Sequence, residues 1–229
     1  MRSHPLRPVL LSLLLVTSAL GAQNSAVVDE GTFTVSQKGA PLGREAFRIV
    51  RAPAPGGQVY RATGQSALGD TRVTTSLGTD SLGVPVSYES ELSLKGEVTQ
   101  RLQGRGRPGR LAILMNTKTG ESAREYVLNN GTLLLDEDIF HHFFFVALAL
   151  PRSQLGAISP RIGQQLRLQL EELGEDTVDV GGKPMPARRY ALSAPGGTTR
   201  DIWIDAKGRL LKVAIPAKGL VAVRDDPPR

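Results

Sequence analysis

Residues 136–150 read DEDIFHHFFFVALAL, the one strongly helical stretch in a chain otherwise patterned as strands. Asp136 stands where an N-cap carboxylate would accept bonds from the free first-turn N–H groups. Glu137 and Asp138 follow at the positive end of the helix dipole. Leu135 and Phe140 take the two places of a hydrophobic staple, and Pro151 disfavours helix at Leu150. These signals predict a helix over 137–150. Ile139, Phe143, Val146 and Leu150 share one face and Phe140, Phe144 and Ala147 the next, so only His141 and His142 offer a polar edge. A helix apolar on nearly every side must be wrapped by protein or face lipid. At roughly 14 residues it is too short for a bilayer, which needs about 20. It is therefore expected inside a curved sheet.

The flanking sequence supplies that sheet. Gly56-Gly57, Gly69-Asp70, Leu82-Gly83, Lys95-Gly96, Gly104–Gly109, Thr119-Gly120 and Asn130-Gly131 punctuate the first half at regular spacing. Turn markers separating alternating polar and apolar runs read as an antiparallel meander. Tyr88, Ser90, Leu92 and Leu94 take one face, with Ser87, Glu89, Glu91 and Ser93 on the other. Asn130-Gly131 suits a type I′ turn, which would pair Glu125–Leu128 with Thr132–Leu135 as a hairpin. After the helix, Ser153–Gly163 reads as an irregular crossover, and strands resume from Leu166 to Val223. About thirteen strands are expected, too many for a flat sheet, which must curl, split or close. The fold class is mainly β: a strongly curved antiparallel meander, an open or half barrel, wrapped around one apolar helix. A two-sheet β-sandwich is the alternative.

The first residues form a different pattern. Arg2 and Arg7 precede an apolar run, Val9–Leu20, and Ala19-Leu20-Gly21-Ala22 offers small residues for cleavage. Residues 1–22 are expected to be a secretory signal peptide. Residues 23–229 then form a single β-rich domain, with no transmembrane anchor after cleavage and a periplasmic or secreted location. The chain has no cysteine, which excludes disulfides, a thiol nucleophile, thiolate metal sites and a lipoprotein anchor. The net charge of +6 falls to +4 when Arg2 and Arg7 leave with the signal. Aromatic residues make up only 5% of the chain, and four of them lie in the helix. Without a dense basic patch beside a stacking platform, nucleic acid is not an expected partner.

The stretches Leu134–Phe145 (LLDEDIFHHFFF) and Ile202–Pro216 (IWIDAKGRLLKVAIP) resemble the LolA/LolB-like group of bacterial envelope domains. The likeness is greater still to uncharacterised secreted bacterial families of that build. The resemblance implies an exported domain whose curved sheet wraps helical structure and encloses an apolar pocket. It covers most of the chain in order of elements, and about thirty residues in motif.

His141 and His142 lie near Asp136, Glu137 and Asp138, a zinc-like donor set by type. Adjacent histidines on a helix point about 100° apart, however, and His4 leaves with the signal. No metal and no cofactor is expected. There is no Gly-x-Ser-x-Gly elbow and no Ser-x-x-Lys, so no enzymatic activity is expected either. Arg101, Arg105, Arg107 and Arg110 surround Gly104–Gly109 and are the candidates for an anionic group, on what reads as an exposed hairpin tip. Trp203 lies between Ile202 and Ile204 on a strand apolar on both faces, which suits a central strand covered by the helix. Phe140, Phe143, Phe144 and Trp203 are the candidate ligand-binding residues.

The expected function is an exported binding protein for a lipid or other apolar small molecule, held between sheet and helix. The alternative is a ligand-free envelope interaction module, its helix filling the sheet, that docks a protein or anionic polymer.

Overall fold

The computed structural model describes residues 25–55 and 57–229; the expected signal peptide lies outside them. Among the described residues one sheet of fifteen strands forms the frame of the fold. Strands β1 (Ala26–Gln37), β2 (Ala40–Ala54), β3 (Gly57–Leu68) and β4 (Thr71–Thr79) run as a meander of antiparallel hairpins. It continues through β5 (Pro85–Leu94), β6 (Glu97–Arg107), β7 (Arg110–Thr117) and β8 (Gly120–Val127). On the other side of β1 lie β15 (Leu220–Arg224), β14 (Leu210–Ile215), β13 (Arg200–Ile204) and β12 (Lys183–Ser193) in that order. The long β11 (Gln164–Val180), β10 (Gln154–Ser159) and β9 (Thr132–Leu134) complete the sheet. The alternation predicted for β5 holds for Tyr88 and Ser90, which are buried on the inner face, and is lost beyond them: a bulge falls between Leu92 and Ser93, Leu92 is half-buried and Leu94 is exposed.

The sheet curls until its ends meet, and side chains clasp them. The Gln165 amide donates to the Val127 carbonyl (2.7 Å) and accepts from the Val127 N–H (3.3 Å). It thereby satisfies a β8 edge residue as a neighbouring strand would. Arg124 adds a bond to the Gly163 carbonyl at 2.8 Å.

The apolar segment plugs this curve, but not as one helix over 137–150. A 3₁₀ turn, Phe140–Phe143, leads into a short helix α1, Phe144–Ala149. Asp136, Glu137 and Asp138 form a non-helical turn in which Asp138 has φ 54°. That left-handed conformation breaks a right-handed helix, and aspartate tolerates it better than most residues. Asp136 is not the cap. The freed N–H groups of Phe140 and His141 are capped instead by Glu45 from β2, at 3.0 and 2.7 Å. The stop at Leu150 is as predicted, with extended φ −62° and ψ 144° before Pro151. Phe140, Phe143, Phe144 and Phe145 are all buried. Each contributes about 1.5–3 kcal/mol by burial, which explains why so short a helix is stable here.

Other expectations change for long-range reasons. Asn129–Thr132 is a turn, closed by Thr132 N–H donating to the Asn129 carbonyl at 3.0 Å. It does not make a hairpin: β9 pairs in parallel with β10, a partner some twenty residues on. The expected crossover at 153–163 therefore contains a strand. The Gly104–Gly109 segment is an exposed hairpin tip as expected but a shorter one, because β6 continues through Gly104 and Gly106 to Arg107 and only Pro108-Gly109 turn.

In the outer layer, β11 and β12 pair beyond the end of β13, past a bulge between Glu172 and Gly174. Gly174 has φ 103°, a conformation that side chains resist. The distal arm bends back there, and Gly181 at its tip lies close against the Asp225 backbone after β15. Val178, Val180 and Ala187 of the arm pack with Trp203 and Leu211 in a second core on the sheet's outer face. Trp203 is thus covered by this arm rather than by the helix.

Candidate functional site

A polar network crosses the interior beneath the plug. Glu45 shares the inward face of β2 with Phe47 and Ile49, and its side chain is fully buried. Besides capping two backbone N–H groups it meets His141 Nδ1 at 3.0 Å. The His141 ring lies parallel to Phe47, with centroids 6.0 Å apart. Gly64 of β3 makes the room, since a Cβ there would stand 2.2 Å from His141 Cε1. The Glu45–His141 pair has the composition of a general-base dyad, but both side chains are sealed from solvent. Its work is to hold the plug against β2 and β3.

His142 faces the other way, edge-on to Tyr88. The Asp136 backbone N–H donates to His142 Nδ1 at 3.3 Å, so this ring is a neutral acceptor with its proton on Nε2. Asp136 is the second hub. Its Oδ2 accepts from Tyr88 at 2.6 Å, and its Oδ1 accepts from Ser159 Oγ, Arg161 N–H and Glu137 N–H. Arg161 Nε lies 3.2 Å from Oδ2. Burial raises the Asp136 carboxyl above the usual range, against the pull of Arg161 and the Tyr88 bond. Burial also drives the Tyr88 phenol well up.

Burial, then His141 and Arg161, hold the His142 imidazole well below its ordinary 6.5. The unfolded chain therefore binds a proton below pH 6.5 that the native state refuses. The stability His142 contributes is complete above pH 6.5 and is lost as pH falls toward its native value. The loss amounts to about 1.4 kcal/mol per pH unit. Asp29, Asp136 and Asp138 have raised native values and act with the opposite sign, losing stability as pH rises above the carboxylate range. Urea midpoints at pH 5, 6 and 7 should diverge between the parent and a His142→Gln variant. The carboxylate contribution is common to both. Parallel pH profiles would mean that His142 takes up its proton as readily in the native state as in the unfolded chain.

Two cavities border this interior. At one end of the curve a groove of about 760 Å³ opens between α1 and the bend of β11–β13. Ala147 and Leu150 form one wall, and Ala187, Tyr190 and Ile204 the other. Asp176 at its edge accepts the Trp203 indole N–H at 2.7 Å. At the opposite rim, a pocket of about 290 Å³ is lined by Leu68, Val73, Leu220, Asp138, Arg161 and Lys218, among others.

The candidate residues named from sequence are distributed differently. Phe140, Phe143 and Phe144 lie together in the main core, Trp203 lies in the outer one, and none of them lines either cavity. Arg101, Arg105, Arg107 and Arg110 are exposed on strands, where Arg101 pairs with Glu91 at 2.8 Å and Arg110 with Glu125 at 3.2 Å. Glu45, Tyr88 and Arg161 were not singled out as site residues. Glu45 carried a legible signal, being an acid in register with the inward Phe47 and Ile49. Arg161 carried none.

Fold and interior together define a β-barrel-like domain, mainly β, in which a curved sheet closes around a short helical plug. Residues 118–224 match the model of a family described as a domain of unknown function, DUF6134. Among solved structures, the chain is similar to a beta-barrel-like protein of domain of unknown function DUF1849 from Brucella abortus. The two are 8% identical with a TM-score of 0.48, over 86% of this chain and 94% of that one. No curated protein matches.

Proposed function

We propose that this chain is an exported binding protein, periplasmic or secreted, for a lipid or other apolar small molecule. The observation that carries this reading is the groove between Ala147–Leu150 and the wall of Ala187, Tyr190 and Ile204. Its volume of about 760 Å³ falls within the 300–1,000 Å³ or so usual for ligand sites. It lies between sheet and helix, and the aromatic residues expected to line such a pocket are packed in the core instead. Shielding an acyl chain there would contribute about 0.8 kcal/mol per buried methylene. The LolA/LolB-like resemblance is part of the same proposal, as is the absence of enzymatic activity.

The packed phenylalanines favour one other reading, a ligand-free envelope module with its interior filled by the plug. A titration separates the two. Trp203 is the sole tryptophan and bonds Asp176 at the groove's edge, so palmitate entering the groove should shift its emission saturably. Ala147→Phe, which fills the groove, should weaken uptake at least tenfold. Native mass spectrometry of protein purified from its own envelope should show an extractable apolar adduct. A bare mass together with an unresponsive Trp203 would leave the interaction module in front.

A further inference from the structure

The rim pocket opposite the groove has a chemistry of its own. Leu42 and Leu68 from the hairpins of β2 and β3, Val73 of β4 and Leu220 of β15 give it apolar walls. Arg161 enters from the 3₁₀ turn Pro160–Ile162, with a side chain 9% exposed. Its Nε and Nη2 have no hydrogen-bond partner among the described residues. The reason is an imbalance of acceptors. Asp136, the carboxylate beside Arg161, already receives Tyr88, Ser159, Glu137 N–H and Arg161's own N–H. Three of these bonds fall on Oδ1 and one on Oδ2, so the one acceptor site left for the guanidinium is on Oδ2, 3.2 Å from Arg161 Nε. Asp138, the carboxylate that lines the pocket, is held by Lys218 Nζ at 3.0 Å, and Lys218 also bonds Glu137. A guanidinium with five donors is therefore buried at the edge of a pocket with one apolar wall and one polar side, Gln37, Ser66 and Thr71 beside Asp138 and Lys218, and Nη2 has no acceptor there.

We propose that this pocket is a second ligand site, which takes the carboxylate head of a medium-chain acid on Arg161 and its hydrocarbon tail against Leu42, Leu68, Val73 and Leu220. A planar fork of donors suits a planar carboxylate. At about 30 Å³ per non-hydrogen atom, the volume of about 290 Å³ accommodates about ten such atoms, the size of octanoate. The site is separate from the groove and does not depend on it.

Octanoate titrated into ¹⁵N-labelled protein tests the assignment. Saturable shifts are expected at the amides of Leu42, Leu68 and Leu220, with Trp203 emission unchanged. Octan-1-ol, with the same tail and no carboxylate, should bind at least tenfold more weakly. Arg161→Gln should lose at least tenfold in octanoate affinity. Leu68→Trp, which occupies the pocket and leaves Arg161 in place, should lose binding as well, and it decides the matter if Arg161→Gln does not fold. The assignment is overturned by equal binding of the acid and the alcohol, by shifts confined to Ala147 and Tyr190, or by no saturation at millimolar octanoate. Tenfold tighter binding of octyl phosphate would overturn the choice of a carboxylate. A silent groove with a responsive rim would remove the groove as the ligand site proposed above and leave this one standing.

Discussion

Glu45→Ala is expected to cost about 3–5 kcal/mol of folding stability, more than truncating any single exposed ion pair in the chain. The side chain is fully buried and does three things at once: it caps the Phe140 and His141 N–H groups and accepts from His141 Nδ1. Alanine leaves all three donors without a partner in a dry interior, where each orphaned group costs about 1–3 kcal/mol. Some of that sum is recovered as the plug relaxes, so the larger total is not expected. Glu45→Gln should cost about 2 kcal/mol, because its amide keeps one acceptor oxygen but turns an NH₂ toward a backbone donor. Urea denaturation with an unchanged slope reads both variants directly. A Glu45→Ala protein within about 1 kcal/mol of the parent would show that the first turn of the plug is held by packing alone.

What could be read from the sequence follows the range of the interaction responsible. Turns such as Gly69-Asp70 and Lys95-Gly96, and the alternation of Tyr88 and Ser90, are local, and they appear where the pattern places them. The burial of the 140–150 segment was legible because a helix without a polar face has nowhere else to go. Its start was not, because Glu45, the true cap, lies about ninety-five residues earlier in the chain. Local capping chemistry pointed to Asp136, whose carboxylate is engaged by Tyr88, Ser159 and Arg161 instead. The parallel pairing of β9 with β10 and the fold-back of the β11–β12 arm over Trp203 are likewise long-range. The alternation of Ile202, Trp203 and Ile204 did announce that both faces of β13 would be covered. It could not say by what. The ligand candidates failed in the same way: composition marks large apolar residues, but whether they pack or line a space is decided by neighbours from distant strands.

Asp136→Ala is the second large effect, expected at about 3–5 kcal/mol, with a cause distinct from Glu45. Here the damage lies in what remains. Arg161 makes no hydrogen bond through Nη2, and it would lose the carboxylate that stands 3.2 Å from its Nε while staying buried. Asp136→Asn should cost less, about 2–3 kcal/mol, since its oxygen can keep the Ser159 and backbone donors and the Tyr88 hydroxyl can turn to accept from the amide. Tyr88→Phe removes one bond to a charged group, about 1.5–3 kcal/mol. In a double-mutant cycle with Asp136→Ala, most of the Tyr88 effect should vanish, because the two losses share one hydrogen bond of 2.6 Å. Additive losses would mean that Tyr88 acts only by filling space between β5 and the plug. The pH dependence supplies an independent check of sign. The native Asp136 carboxyl titrates above its unfolded value, so its contribution is complete below pH 3.8 and shrinks as pH rises through the native value. The penalty of Asp136→Asn, which cannot ionise, should therefore be greater at pH 4 than at pH 7. A penalty that instead grew toward neutral pH would show that the Arg161 pair outweighs burial at this carboxylate.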